Sequence, residues 1–178
     1  LADSSPRDVT LSRLLDLSKQ LIGRPSYLAF LNEYPAAIEK LIGILNQSEW
    51  MADYLSRYPI LLDELIGAQL LDTHFDWQEL KRHLAYELRK AGNDVEAQMD
   101  LMRQVQHSFI FRLAMQELHQ LWCVEDLSDQ LAFLADILLE ISLYQVWQNY
   151  QKTHSELPKF GIIAYGKLGG KELTYTSD

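Results

Sequence analysis

From residue 77 to residue 141, apolar side chains return every three or four positions, and that spacing admits one kind of local structure. Trp77, Leu80, Leu84 and Leu88 form one stripe. Val95, Met99, Met102, Phe109 and Leu113 form a second, interrupted by Gln106. Leu131, Leu134, Leu138 and Ile141 form a third, opposite Asp129, Asp136 and Glu140. An α-helix turns about every 3.6 residues, so each series lands on one face; a strand would scatter it over two. The punctuation agrees. Asp76 with Glu79 makes a capping box, Gly92 closes the first of these helices, Asn93 or Asp94 opens the next, and Ser128 is expected to cap the last. Three helices of this length suit an antiparallel bundle.

Shorter helices are expected before them. Ser5-Pro6-Arg7-Asp8 sets a capping serine, a proline at the first helical position and an acid in the first turn. Leu11, Leu14, Leu15 and Ile22 follow at helical spacing as far as Gly23. A weak repeat comes next: EYPAAIEKLIG, from Glu33, matches RYPILLDELIG, from Arg57. Each proline is expected to open a short helix and each glycine to close it, with Tyr34 and Tyr58 packed beside the prolines. Between the copies, Ser48 caps a helix carrying Trp50, Met51, Tyr54 and Leu55. Two copies do not make a solenoid.

Composition narrows the function classes. An apolar fraction of 48% supports a real core. A net charge of -9 argues against broad binding to nucleic acid or to an anionic membrane. The single cysteine, Cys123, allows no intrachain disulfide and is expected to be a small buried apolar residue in a reducing cytoplasm. No apolar run approaches the roughly 20 residues that span a bilayer. None of His74, His83, His107, His119 and His154 forms a ligand pair on one helix face. Arg103 and Arg112 read either as part of a protein-binding surface or as solvated charges. The first residue is Leu1, which suggests a piece of a longer protein.

The pattern changes near the end. HSELPK (154–159) reads as a linker, FGIIAY (160–165) as a short buried strand, and GKLGGKELTYTSD (166–178) as a glycine turn. A domain boundary is expected near 158, dividing 1–157 from 158–178. A lone strand leaves its own backbone unpaired, so its partners must lie downstream or in another chain. Strand, glycines and a helix start can bind phosphate, because glycine lets the backbone approach an anion. The Walker spacing fails here, with Tyr165 and Glu172 where glycine and Ser/Thr are required, and so does Gly-x-Gly-x-x-Gly. On pattern alone, the stretch is either a phosphate site or an ordinary tight turn.

The string is more specific than its glycines. A Gly-Gly after a strand, followed by Asp178, resembles the nucleotidyltransferase superfamily of DNA polymerase beta, in which two acids around one apolar residue hold divalent metal ions. GIIAYGKLGGKELTYTSD further resembles the signature of the glutamine synthetase adenylyltransferase family through Gly166, Lys167, Leu168, Gly169, Gly170, Glu172, Leu173, Ser177 and Asp178. SRYPILLDELI (56–66), LMRQVQHSFIFRLAMQEL (101–118) and LSDQLAFLADILLE (127–140) are similar to helices ahead of that signature. Thr174-Tyr175-Thr176 departs from a family that often has serine before Ser177.

The resemblance implies a mainly α fold: a multi-helix bundle or array, then one β-strand and a glycine turn that begin a truncated polymerase-beta-like nucleotidyltransferase domain. It implies a cytoplasmic enzyme of bacterial nitrogen control that moves AMP from ATP, with Mg2+, to a tyrosine of glutamine synthetase. It also implies response to glutamine and to the PII signalling protein. The family carries a second, related domain that removes the AMP by phosphorolysis. Tyr165 and Lys171 resemble the transferase half; the removing half and a purely helical interaction module are the alternatives. Asp178 is implied as catalytic metal ligand, and Gly169 and Gly170 as donors of backbone N–H groups to the triphosphate. Ser177 is read as a phosphate contact or a local cap, Lys167 as a phosphate-screening or a solvated cation, Lys171 as a solvated lysine, and Glu172 as an acid favouring a helix start. The second acid would lie beyond Asp178, so this chain by itself is expected to be inactive.

Overall fold

Proline sets where the first helices begin. The computed structural model describes residues 6–149 and 159–177, and in it α1 (Pro6–Leu21), α2 (Pro25–Glu33) and α3 (Pro35–Gln47) all start on proline. Its fixed φ suits the first helical residue, where a missing N–H costs nothing. A 3-10 helix, Pro59–Ile66, starts the same way, and Ser48 accepts from the Met51 amide at 3.1 Å to cap α4 (Glu49–Arg57).

The two copies of the repeat part company. Gly43 was expected to close its helix, but α3 runs through it to Gln47, because Ile44 and Leu45 beyond it are fully buried. Burying two such side chains outweighs the roughly 1 kcal/mol that a mid-helix glycine costs. In the second copy, Gly67 does end the helix. Three residues per turn there bring Pro59, Leu62 and Leu65, all buried, onto one row.

The chain divides into two compact units. One runs to Asp72 and includes Phe111–His119. In it α1 packs on α3 and α4, and α3 packs on α4 and the 3-10 helix. Leu17, Leu21, Leu41, Ile44, Met51, Leu55, Leu62 and Phe111 are among its core residues. Cations satisfy helix-end carbonyls: Arg13 donates to Leu45 O at 2.7 Å and Lys40 to Leu65 O at 2.6 Å. Gln116, fully buried, donates to the carbonyls of Leu70 and Asp72 at 3.1 and 2.9 Å. Arg112 is half-buried and donates to Gln69 O at 3.1 Å, so it is a structural side chain here, whereas exposed Arg103 pairs with Asp100 at 3.0 Å.

The other unit holds Thr73–Ile110 and the chain from Gln120 onward. It contains α5 (Trp77–Ala91), α7 (Val124–Asn149), a one-turn α8 (Gly166–Gly169) and most of α6 (Val95–Leu118). Asp76 accepts from the Glu79 amide at 2.8 Å and Asp94 from the Ala97 amide at 3.0 Å, so Asp94 rather than Asn93 caps α6. Leu84, Leu88, Ile137 and Ile141 form a core, with Trp77, Leu101, Met102, Val105 and Leu138 packed against it. Beside it, Phe75 lies 5.3 to 6.3 Å from Trp77, Phe109 and Trp122, and Trp77 lies 6.2 Å from Phe133.

Four expectations change in this unit. By length and hydropathy Val124–Gln148 could cross a membrane, contrary to the sequence reading; its Leu127, Leu131, Leu134, Ile137 and Ile141 are instead buried, and Asp136 and Glu140 lie within it. Ser128 does not cap α7. The helix starts a turn earlier, where Cys123, exposed rather than buried, accepts from the Asp126 amide at 3.5 Å through Sγ. The strand expected at 160–165 does not form, and among the described residues there is no strand. Extended backbone becomes a strand only beside a partner that takes up its N–H and C=O groups. Phe160, Ile162, Ile163 and Tyr165 are instead 50% to 82% exposed. The boundary expected near 158 lies outside the described residues.

Candidate functional site

The glycine turn is tightly specified. Tyr165 is extended, with φ -124° and ψ 173°, and the chain reverses at Gly166, where φ is +59°. A single helical turn follows and folds Gly169 back over the incoming segment. A Cβ at Gly169 would lie 2.4 Å from the Ala164 carbonyl oxygen, a contact no side chain survives. At Gly170 the nearest atom to an added Cβ is Gly166 O at 3.2 Å. Glycine at 169 is thus a steric requirement of the turn.

The amides of both glycines are already engaged. Gly169 N–H donates to Tyr165 O at 3.4 Å and Gly170 N–H to Gly166 O at 2.8 Å. Lys171 N–H donates to Leu168 O at 3.2 Å, and Glu172 N–H to Lys167 O at 2.7 Å, which closes the turn. The expected free N–H pair is therefore not displayed in this conformation, because the reversal uses those donors itself. Of the two, the 3.4 Å bond of Gly169 is past the usual N–H···O range and is the easier to exchange.

A second small turn carries Ser177. Its Oγ accepts from the Thr174 amide at 3.0 Å, and its own N–H donates to Thr174 O at 3.0 Å. Of the two readings of Ser177, the local hydrogen bond is the one seen. Lys167 is exposed on the turn. Asp178 lies outside the described residues. Gly169, Gly170, Lys167 and Ser177 thus share one short segment. Among the described residues no three His, Cys, Asp or Glu converge to hold a metal ion.

What holds the turn in place was not anticipated. Ser128 Oγ, one turn into α7, donates to Leu173 O at 3.1 Å. Lys171 Nζ lies 3.5 Å from Asp129 Oδ1 and 5.3 Å from the centre of the Phe133 ring. Lys171 has a φ of +55°, a conformation that costs a residue with a Cβ about 1–2 kcal/mol. An exposed ion pair returns about 0–1 kcal/mol and an exposed cation–π contact about 0.5–1 kcal/mol, so the two together offset most of that strain. Lys171 is not a free solvated lysine. Ser128 offered a signal, a polar residue entering an apolar stripe, but the same signal describes a helix cap.

Comparison with known proteins agrees with the turn. The family model for glutamate–ammonia ligase adenylyltransferase matches residues 38–178, most of both units and the whole turn. The chain belongs to that family. Among members of the glutamate–ammonia ligase adenylyltransferase family, a protein of Neisseria meningitidis serogroup B is 54% identical over 99% of this chain and 20% of its own length. One from Ralstonia nicotianae is 45% identical over 99% of this chain and 18% of its own length. One from Nitrosomonas europaea is 43% identical over the whole chain and 20% of its own length. Each is named bifunctional glutamine synthetase adenylyltransferase/adenylyl-removing enzyme. The chain spans about a fifth of the length of these relatives.

Proposed function

We propose that this chain is the helical region ahead of a nucleotidyltransferase domain, together with that domain's opening turn. The enzyme it serves moves AMP from ATP to a tyrosine hydroxyl of glutamine synthetase. The observation that carries the reading is the turn itself: its string matches the family signature, and the reversal at Gly166–Gly169 packs Gly169 so closely on the Ala164 backbone that only glycine fits there. The transferase direction rests on Tyr165 and Lys171, which resemble that half.

Each residue then has a stated task. Gly169 and Gly170 offer a surface without side chains, and the long Gly169 hydrogen bond can be exchanged for one to phosphate. Lys167 places an exposed ammonium beside them to offset phosphate charge. Ser177 Oγ accepts from the Thr174 amide and lies 3.2 Å from Thr174 Oγ1, so its hydroxyl would have to turn from that neighbour to donate to phosphate. Asp178 serves as a ligand to Mg2+, as the resemblance implies. Bound there, the ion would neutralise triphosphate charge. In the displacement, the tyrosine hydroxyl gives up its proton to solvent, its oxygen forms a bond to the α-phosphorus, and the bond from the α-phosphorus to the oxygen bridging to the β-phosphate breaks, releasing pyrophosphate. A cytoplasmic location and control by glutamine and the PII protein belong to the same reading.

The test uses the full-length protein, purified glutamine synthetase and ATP labelled in the α-phosphate. Label that reaches glutamine synthetase from the wild type but not from Asp178→Ala supports the reading. Transfer that survives Asp178→Ala, while phosphate-driven removal of AMP is lost, would assign this chain to the removing half.

A further inference from the structure

We propose that Ser128, Asp129 and Phe133 of α7 are positioning residues for the nucleotide: they form a platform that fixes the glycine turn and so sets its affinity for ATP. The inference rests on the reading of that turn as the nucleotide site. The described turn lacks the usual brace of such a loop, since no strand ladder holds residues 160–165. Its fixed points are on α7. Ser128 holds the Leu173 carbonyl, just past the last hydrogen bond of the turn, at 3.1 Å. Asp129 and Phe133, one helical turn apart on the same face, take the Lys171 ammonium between carboxylate and ring. Lys171 is the residue of the turn that carries a Cβ at positive φ, so the platform grips the turn where its backbone is least comfortable.

The platform is itself anchored. Leu127, Leu131 and Ala132, adjacent to these three residues, are buried, and Phe133 lies 6.2 Å from Trp77 at the start of α5. A shift of α7 therefore moves the turn, and the helices gain a physical route to nucleotide affinity. The grip also separates the two lysines beside the glycines. Lys171 is drawn to α7, and Lys167 remains the exposed cation on the turn.

The experiment uses the full-length protein with Ser128→Ala, Asp129→Ala, the double variant, and Asp129→Glu as the conservative control. Alanine is a good helix residue, so α7 is retained. The double variant is expected to raise KM for ATP about tenfold, with kcat and KM for glutamine synthetase near wild type. Asp129→Glu restores most of the loss. Amide hydrogen exchange gives a readout independent of activity: protection at Gly170 and Glu172 falls by a similar factor, while that of α5 is unchanged. Wild-type protection and wild-type KM in the double variant would overturn the platform. A wild type that moves AMP in neither direction would instead fail the functional reading, and the exchange data would then decide the platform alone.

Discussion

Ser128 and Leu173 lie 45 positions apart, and the hydroxyl of the first donates to the carbonyl of the second at 3.1 Å. That bond, with the Lys171–Asp129 pair, joins the family signature to a helix whose polar residues looked like ordinary cap and surface positions. It ties the glycine turn directly to α7.

The sharpest steric prediction is at Gly169. Replacing it with alanine puts a methyl group 2.4 Å from the Ala164 oxygen, so the reversal at Gly166–Gly169 must open. In the full-length protein Gly169→Ala is expected to lower kcat/KM for AMP transfer by about a hundredfold, the scale of a misplacement near 1 Å. Circular dichroism should show the helices intact. Near-normal transfer in this variant would contradict the geometry.

Cys123 caps α7 with sulfur, a weak acceptor, at 3.5 Å from the Asp126 amide. Serine is a stronger N-cap. Cys123→Ser is therefore expected to stabilise the protein, by about 0.5–1 kcal/mol in urea denaturation. Destabilisation would show that the thiol's contact with Asp126 Oδ2, at 3.1 Å, matters more than its capping.

Leu88 is fully buried beside Leu84, Ile137 and Ile141. Leu88→Ala is expected to cost about 2–5 kcal/mol, the lost transfer free energy plus a cavity. Because the same core carries α7, the amides of Gly170 and Glu172 should lose protection in this variant too. An effect confined to α5 would mean that α7 is held some other way.

Much of this was legible in the sequence. The long stripes, the proline starts, Asp76 and Ser48 as caps, and Gly92 as a stop are local signals, and each is read within one turn of helix. The failures are where distant contacts decide. Gly43 continues its helix because of burial, Ser128 is claimed by Leu173, Arg112 reaches Gln69, and residues 160–165 have no described partner to make them a strand. In the candidate site, the string placed Gly169, Gly170, Lys167 and Ser177 together, but not the internal use of the glycine amides. The tie to α7 could not be read either, since no local pattern marks a bond across so long a separation.

His107 supplies a pH test. Burial, and then the nearby Arg103 charge, push its pKa below the ordinary 6.5. The folded state thus binds the proton more weakly than the unfolded chain. The neutral imidazole's contribution is fully present above pH 6.5 and is lost as pH falls through that value toward the folded-state pKa. Urea midpoints are expected to drop between pH 7.5 and pH 5.5, and to drop less in His107→Gln. Equal drops would assign the acid sensitivity to other groups.

The central claim is that this chain opens an AMP-transferring site, and Asp178 tests it most directly. We would measure labelled AMP passing from ATP to glutamine synthetase in the full-length protein, with and without Asp178→Ala, glutamine present. The account predicts that transfer collapses in the variant while phosphate-driven removal of AMP persists. Transfer that survives the variant would contradict it.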